Sequence, residues 1–125
     1  MTRLGLTVAA LAVLVAGAAQ AAAADDFGGF WKAFAAAVAK DDQAALASMT
    51  ALGPGLDPNI TPMTFAGFHA AHLKPAARRC LAKGKPVRDV GGDGVVTYEV
   101  FCGEVIYGFS RTASGWKLTD LGAND

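Results

Sequence analysis

Apolar residues recur at helical spacing from residue 27 onward. Steps of three and four connect one set of them: Phe27, Phe30, Trp31, Phe34, Ala37 and Val38. This spacing places the set on one face of a helix. Asp25 or Asp26 can cap the amino end of that helix, where an acidic side chain also suits the helix dipole. The pattern therefore predicts a first helix that begins at Phe27.

Three shorter helices are predicted after the first. Asp41 can cap a second short helix, and the segment 51–62 that follows is rich in proline and glycine. We predict a loop there, with at most a short edge strand. Thr64 can cap a third helix, and the chain then restarts after Pro75 in a fourth helix that ends at Gly84.

After Gly84 the spacing of apolar residues changes from near four to two, which is typical of β-strands. The predicted strands are 86–90, 95–102, 105–111 and 116–121. Four residues between the first two, Gly91 to Gly94, form a turn, and no helix follows them as a phosphate-binding loop would require. Helices followed by such strands predict an α+β domain, with N-terminal helices packed on a curved antiparallel sheet of about four strands.

The amino-terminal segment has the pattern of a signal peptide. An uncharged apolar stretch, residues 4–19, follows Arg3, and a motif of small residues around a larger one (AQA) ends at Ala21. We predict cleavage between Ala21 and Ala22, with Ala24 as the alternative site. The stretch is shorter than the about 20 strongly apolar residues that a permanent membrane anchor needs, so we expect no such anchor.

The chain therefore divides into a signal peptide, residues 1–21, and one domain, residues 22–125. Loss of Arg3 leaves ten Lys and Arg against eleven Asp and Glu, so the domain lacks the basic excess of a nucleic-acid-binding protein. The overall hydrophobic content of 53% is raised by the leader and does not indicate a membrane protein. We expect a bacterial protein that is periplasmic or secreted.

Cysteine and histidine are the candidate metal-binding and redox residues. Cys80 and Cys102 both lie in the exported part, where an oxidising environment and an even count favour a disulfide; two buried free thiols are the alternative. Closing that loop is worth roughly 3.4 kcal/mol by the chain-entropy relation. His69 and His72 share a helix face, but no third ligand completes a metal motif, so we predict structural or solvent-facing histidines and no metal or cofactor.

Two segments at the ends of the domain carry a family resemblance. The runs FWKAFAAAVAKDDQAALASM and VIYGFSRTASGWKLTDLGAND resemble the opening helix pair and the last hairpin of the nuclear-transport-factor-like superfamily, which includes ketosteroid isomerase and polyketide cyclase relatives. The resemblance implies a cone-like sheet, an apolar pocket between the first helix and the sheet, and often a dimer through the open face. The carboxylate base and the oxyanion site of the isomerase-like enzymes are matched by no residue here.

Three functions follow from these patterns. Aromatic residues are candidates for a pocket lining: Phe30, Trp31, Phe34, Tyr98, Tyr107 and Trp116. Such a stripe usually packs in the core and can also form one wall of a pocket. We expect a non-catalytic module of the cell envelope that binds a small apolar ligand. The alternatives are an interaction or homodimerisation module that uses the sheet face, and an isomerase- or cyclase-like enzyme with Asp120 or Glu99 as base and a tyrosine as donor.

Overall fold

A computed structural model of the chain describes residues 26–53, 55–56 and 64–124. These residues form helices followed by a four-stranded antiparallel sheet, which confirms the predicted α+β class. The predicted signal peptide and its cleavage site between Ala21 and Ala22 lie outside the described residues. No helix in the described part of the chain is both long enough and apolar enough to cross a membrane.

The helices are α1 (Phe27–Lys40), α2 (Gln43–Ser48), α3 (Phe65–His72) and α4 (Pro75–Lys83). Three of them begin at a side-chain oxygen that accepts a hydrogen bond from the backbone N–H three residues on: Asp26 from Gly29, Asp42 from Ala45, and Thr64 from Gly67. The fourth begins with a proline at its first position, where the missing N–H costs nothing. The predicted starts at Phe27 and after Thr64 are therefore confirmed.

The cap of α2 differs from the prediction. Asp42 caps this helix, and Asp41 instead ends α1 in the left-handed backbone conformation, with φ 52° and ψ 46°. In that position its N–H donates to the last carbonyls of α1, at Ala37 and Val38. An N-cap residue typically has negative φ and an extended ψ, as Asp42 has with φ −78° and ψ 89°, and the left-handed backbone of Asp41 does not have this geometry.

The sheet is a meander of β1 (Val87–Val90), β2 (Val96–Cys102), β3 (Val105–Thr112) and β4 (Gly115–Ala123), each paired with the next. Among the described residues, β1 has a neighbour on one side only, and all four of its residues are exposed. The free edge of β4 is covered by the segment after α2, where the Ala51 N–H donates to the Leu118 carbonyl. The predicted loop, residues 51–62, is described at 51–53 and 55–56, and these residues form neither a helix nor a strand. The rest of that prediction lies outside the described residues.

Helix α1 packs on one face of the sheet, which we call the inner face. Phe27 stacks on Tyr98 with ring centroids 3.8 Å apart, and Phe34 meets Phe109 edge-on at 5.1 Å. The fully buried side chains of this core come from both layers: Phe34, Val38, Leu46, Phe68, Leu73, Leu81, Val100, Tyr107, Phe109 and Leu118. Alternate residues of each strand face the opposite, outer side of the sheet.

A disulfide joins α4 to the sheet. Cys80 and Cys102 are bonded, with their Cα atoms 5.9 Å apart. Immediately after α4, the chain passes so close to β2 that a Cβ on Gly84 would lie 2.6 Å from Cγ1 of Val100. The bond and the close passage together hold the end of α4 against the middle of β2.

A polar cluster links the end of α1 to α3 and α4. Nε2 of His69 lies 2.7 Å from Oδ1 of Asp41, and Nε of Arg78 lies 3.6 Å from the same oxygen. Arg78 also donates to the Leu73 carbonyl at 2.6 Å. The hydrogen bond from His69, helped by the positive charge of Arg78, lowers the pKa of Asp41 below its ordinary value of 3.8.

We expect Asp41→Asn to reduce stability at pH 5 and to have less effect in acid. A carboxyl whose pKa is lowered by folding contributes stability above its unfolded pKa, near 3.8 here, and loses that contribution as the pH falls through the folded pKa. Thermal unfolding of the variant and the wild type between pH 2 and pH 5 measures the difference. Asp42→Asn is the control, because asparagine and aspartate cap helices about equally well. A difference that is the same at pH 5 and pH 2.5 would contradict the role assigned to Asp41.

Candidate functional site

Two cavities lie side by side where the corner between α3 and α4 meets the start of β3. The larger, about 760 Å³, extends from His72 to the end of β4, and the smaller, about 400 Å³, lies between the α3–α4 corner and the β2–β3 turn. His72 and Val105 line both cavities, and we call the pair the corner cleft. Both volumes fall in the range of roughly 300–1,000 Å³ that is typical of small-ligand sites.

The smaller cavity has a mainly apolar wall. Its lining combines small helix residues with residues of the sheet and the disulfide: Ala71, Ala76, Ala77, Cys80, Cys102, Gly103, Val105 and Tyr107. The remaining lining residues are His72 and Lys74, and none of the acidic residues in the described ranges lines this cavity. The smaller cavity therefore offers an apolar surface with the cationic group of Lys74 at the α3–α4 corner.

The larger cavity is more polar. Leu56, Val105 and Leu121 give it apolar surface, while Glu104 and Asn124 add polar groups. Asn124 ties the β2–β3 turn to the end of β4, because its side chain donates to the Gly103 carbonyl and its backbone N–H donates to that of Glu104. These bonds fix the position of the turn that separates the two cavities.

Tyr107 anchors the floor of the cleft. Its hydroxyl donates to the His72 carbonyl at 2.6 Å, which fixes the end of α3 to the sheet. Burial raises the pKa of Tyr107 above its ordinary value of 10.0, so the hydroxyl stays protonated at neutral pH. The tyrosine is thus a structural donor in the wall of the cleft.

The other predicted pocket-lining aromatics pack against one another. Five of the six belong to one aromatic cluster of the core: Phe30, Trp31, Phe34, Tyr98 and Trp116. Phe109 fills the space that a pocket beside α1 would need, with its ring centroid 5.6 Å from that of Trp31 and 5.1 Å from that of Phe34. Tyr107 is the member of the predicted set that lines the corner cleft.

The acids and tyrosines considered for catalysis lie on opposite faces of the sheet. Glu99 pairs with Gly108, and Gly108 pairs with Asp120, which places both acids on the outer face. Tyr98 and Tyr107 pack in the core on the inner face. The sheet therefore separates each proposed base from the proposed proton donors, and the geometry forms no acid and tyrosine pair across these positions.

The two histidines have separate surroundings. His69 forms a hydrogen bond with Asp41, and His72 lines the corner cleft. Within the ranges that the structure describes, no group of three or more histidine, cysteine, aspartate or glutamate residues is arranged to hold a metal ion. Two histidines three residues apart on α3 thus belong to different sites, His69 to a polar cluster and His72 to a cleft wall.

Sequence reasoning missed the corner cleft itself. Its lining comes from the α3–α4 corner, the β2–β3 turn and the end of β4, which are distant along the chain. One signal was present, because the corner residues HLKP are flanked on both sides by alanine pairs, at 70–71 and 76–77. Side chains that small leave open the space between a helix corner and a sheet.

Comparison with known proteins found no match to this chain. The chain matches no protein-family model, no curated protein and no solved structure. The class of protein is therefore defined by the architecture and the cleft: an α+β domain in which helices precede a meander sheet and a ligand-sized cleft opens at the α3–α4 corner.

Proposed function

We propose that the protein is a non-catalytic binding module that takes a small, mainly apolar ligand in the corner cleft. The observation that carries this proposal is the pair of ligand-sized cavities that share His72 and Val105 and have few polar groups in the wall of the smaller one. A binding role also fits the resemblance to the nuclear-transport-factor-like superfamily, which implies an apolar pocket. Here the space beside α1 is filled by Phe109, so the proposed pocket lies at the other end of the sheet.

We place this module outside the cytoplasm, in the periplasm or the medium of a bacterium. The leader-like pattern of residues 1–21 supports export. The disulfide between Cys80 and Cys102 is compatible with it, because such bonds form and persist in oxidising compartments. Peptide mass analysis of the exported protein tests this placement, and an intact Met1 would contradict it.

Homodimerisation through the outer face of the sheet has weaker support. Phe101 and Val87 are exposed there, at 48% and 52%, and would suit an apolar interface. Glu99 and Asp120 flank Gly108 in the middle of the same face. A twofold axis through that point would bring like charges of two copies together, which is unfavourable. Ligand binding in the corner cleft does not require like charges of two copies to meet, so we favour ligand binding over homodimerisation.

We expect Ala76→Trp to weaken ligand binding at least about tenfold while the fold stays intact. Ala76 is exposed and lines the smaller cavity, so an indole at this position occupies the cavity without displacing the core. The measurement is fluorescence titration with N-phenyl-1-naphthylamine, a neutral apolar dye.

The matched control is Ala36→Trp, which adds the same side chain at an exposed position of α1 away from the cleft. It should bind the dye as the wild type does. Equal binding by the two variants would show that the dye sits elsewhere, and a wild-type protein that binds no dye would remove the proposed function.

A further inference from the structure

We infer that the corner cleft selects a single-chain anionic amphiphile, with its negative head at Lys74 and its apolar chain along the wall of the smaller cavity. The inference rests on the proposed function, since it names the class of ligand for the same site. It follows from the charges that line the two cavities and from where each charge lies.

The smaller cavity has an uneven distribution of charge. Lys74 carries a positive charge, and no carboxylate of the described residues lines the wall beside it. Lys74 precedes α4, and the lysine and arginines within α4, at positions 78, 79 and 83, line a separate groove against α1. Among the described residues Lys74 is therefore the fixed positive charge of the cleft, and a ligand with a negative head would pair with it.

The acidic side chain that the described residues contribute to the cleft lies in the larger cavity. Glu104 is in the β2–β3 turn and lines that cavity together with Asn124. Its negative charge disfavours an anionic head there and so orients the ligand. The apolar chain of the ligand would lie along Ala77, Val105 and the disulfide, with the end farthest from the head toward the larger cavity.

The apolar wall of the smaller cavity determines the second property of the ligand, an apolar chain. Apart from His72 and Lys74, the smaller cavity is lined by three alanines, the disulfide, Gly103, Val105 and the ring of Tyr107. The Tyr107 hydroxyl is already bonded to the His72 carbonyl and offers no free proton to a polar ligand. A head with one negative charge and an unbranched apolar chain satisfies this lining, whereas a polyol would leave its hydroxyl groups without partners.

Three probes of the same chain length test the inference: dodecanoate, 1-dodecanol and dodecyltrimethylammonium, each used below the concentration at which it forms micelles. Displacement of N-phenyl-1-naphthylamine gives their affinities. We expect dodecanoate to bind about tenfold more tightly than 1-dodecanol, because a hydrogen bond to a charged group is stronger than one to a neutral group, and the cation to bind most weakly. Added salt should reduce the preference.

Lys74→Gln should abolish the preference for dodecanoate over 1-dodecanol, because it removes the charge that pairs with the anionic head. Lys74 is exposed, so the change removes a charge without disturbing the core. Lys32→Gln is the matched control, since Lys32 is an exposed lysine of α1 outside the cleft. It should behave as the wild type does.

The outcomes separate the two proposals. Equal wild-type affinity for dodecanoate and 1-dodecanol, or equal losses in the two lysine variants, would overturn the anionic class and leave the binding function standing. Failure of all three probes to bind would overturn both. Sedimentation with phosphatidylglycerol vesicles distinguishes a free amphiphile from a membrane lipid, and co-sedimentation without binding of dodecanoate would overturn the inference.

Discussion

Replacing Phe34 by alanine is expected to lower the free energy of unfolding by about 3–5 kcal/mol. Phe34 is 0% exposed, and its ring packs against Phe30, Trp31 and Phe109 at centroid distances of 5.8, 5.7 and 5.1 Å. Its removal leaves a void between α1 and the inner face of the sheet that neighbouring rings cannot fill without leaving their own contacts. Urea denaturation followed by circular dichroism measures the loss.

Phe101→Ala is the matched control for this experiment. It removes the same side chain from a position on the outer face that is 48% exposed. The expected loss is about 1 kcal/mol or less, because little apolar surface returns to water and no cavity forms. If the two variants lost the same stability, the aromatic cluster under α1 would not be the core that the structure shows.

Removal of the disulfide is expected to have the second large effect on stability. The double variant Cys80→Ser with Cys102→Ser should lose about 3 kcal/mol, because the unfolded chain regains the freedom of the loop that the bond closes. For a domain of this size the loss corresponds to a fall in melting temperature of roughly 12–24 °C. Differential scanning calorimetry of the oxidised proteins measures it.

A reductant supplies the internal control. It should lower the melting temperature of the wild type toward that of the double variant and leave the double variant unchanged. Two titratable thiols in wild-type protein purified without reductant would contradict the bond between Cys80 and Cys102. A fall of only a degree or two on reduction would show that the bond contributes little to stability.

Much of the fold could be predicted from local patterns. The apolar steps of three and four in α1, the capping threonine before α3 and the glycine turn between β1 and β2 each act within a few residues of one another. The helices Phe27–Lys40 and Phe65–His72 begin within a residue of the predicted starts, and the strand Val96–Cys102 begins and ends within a residue of the predicted 95–102. Secondary structure followed from the sequence because its causes lie close together in the chain.

The cap of α2 could not be predicted in the same way. Asp41 and Asp42 are the same residue type at adjacent positions, and either could cap a helix. The choice depends on Asp41 closing α1 and pairing with His69, which lies 28 residues further along the chain. A contact between distant parts of the chain thus decides a local feature.

The corner cleft could not be predicted either, because it also depends on contacts between distant parts of the chain. Periodicity showed that Phe30, Trp31 and Phe34 share a face, but it could not show what lies opposite them. Phe109 pairs with Tyr98 and Leu118 in the neighbouring strands and lies beneath α1. Alternation along β3 places Phe109 on the inner face, but it does not show which side chains of α1 the ring contacts. The same packing that filled the expected pocket left the open space at the α3–α4 corner.

The sequence of β1 affects whether a second copy can add to the sheet. Within the described part of the chain β1 is paired along one side, and an unpaired strand edge is a template for pairing with another chain. Two copies related by a twofold axis would centre this four-residue strand on Arg88 or on Asp89, which places arginine opposite arginine or aspartate opposite aspartate. Like charges directly opposite each other oppose strand pairing. The charges of the sequence VRDV therefore disfavour a second copy adding its own β1 at this edge.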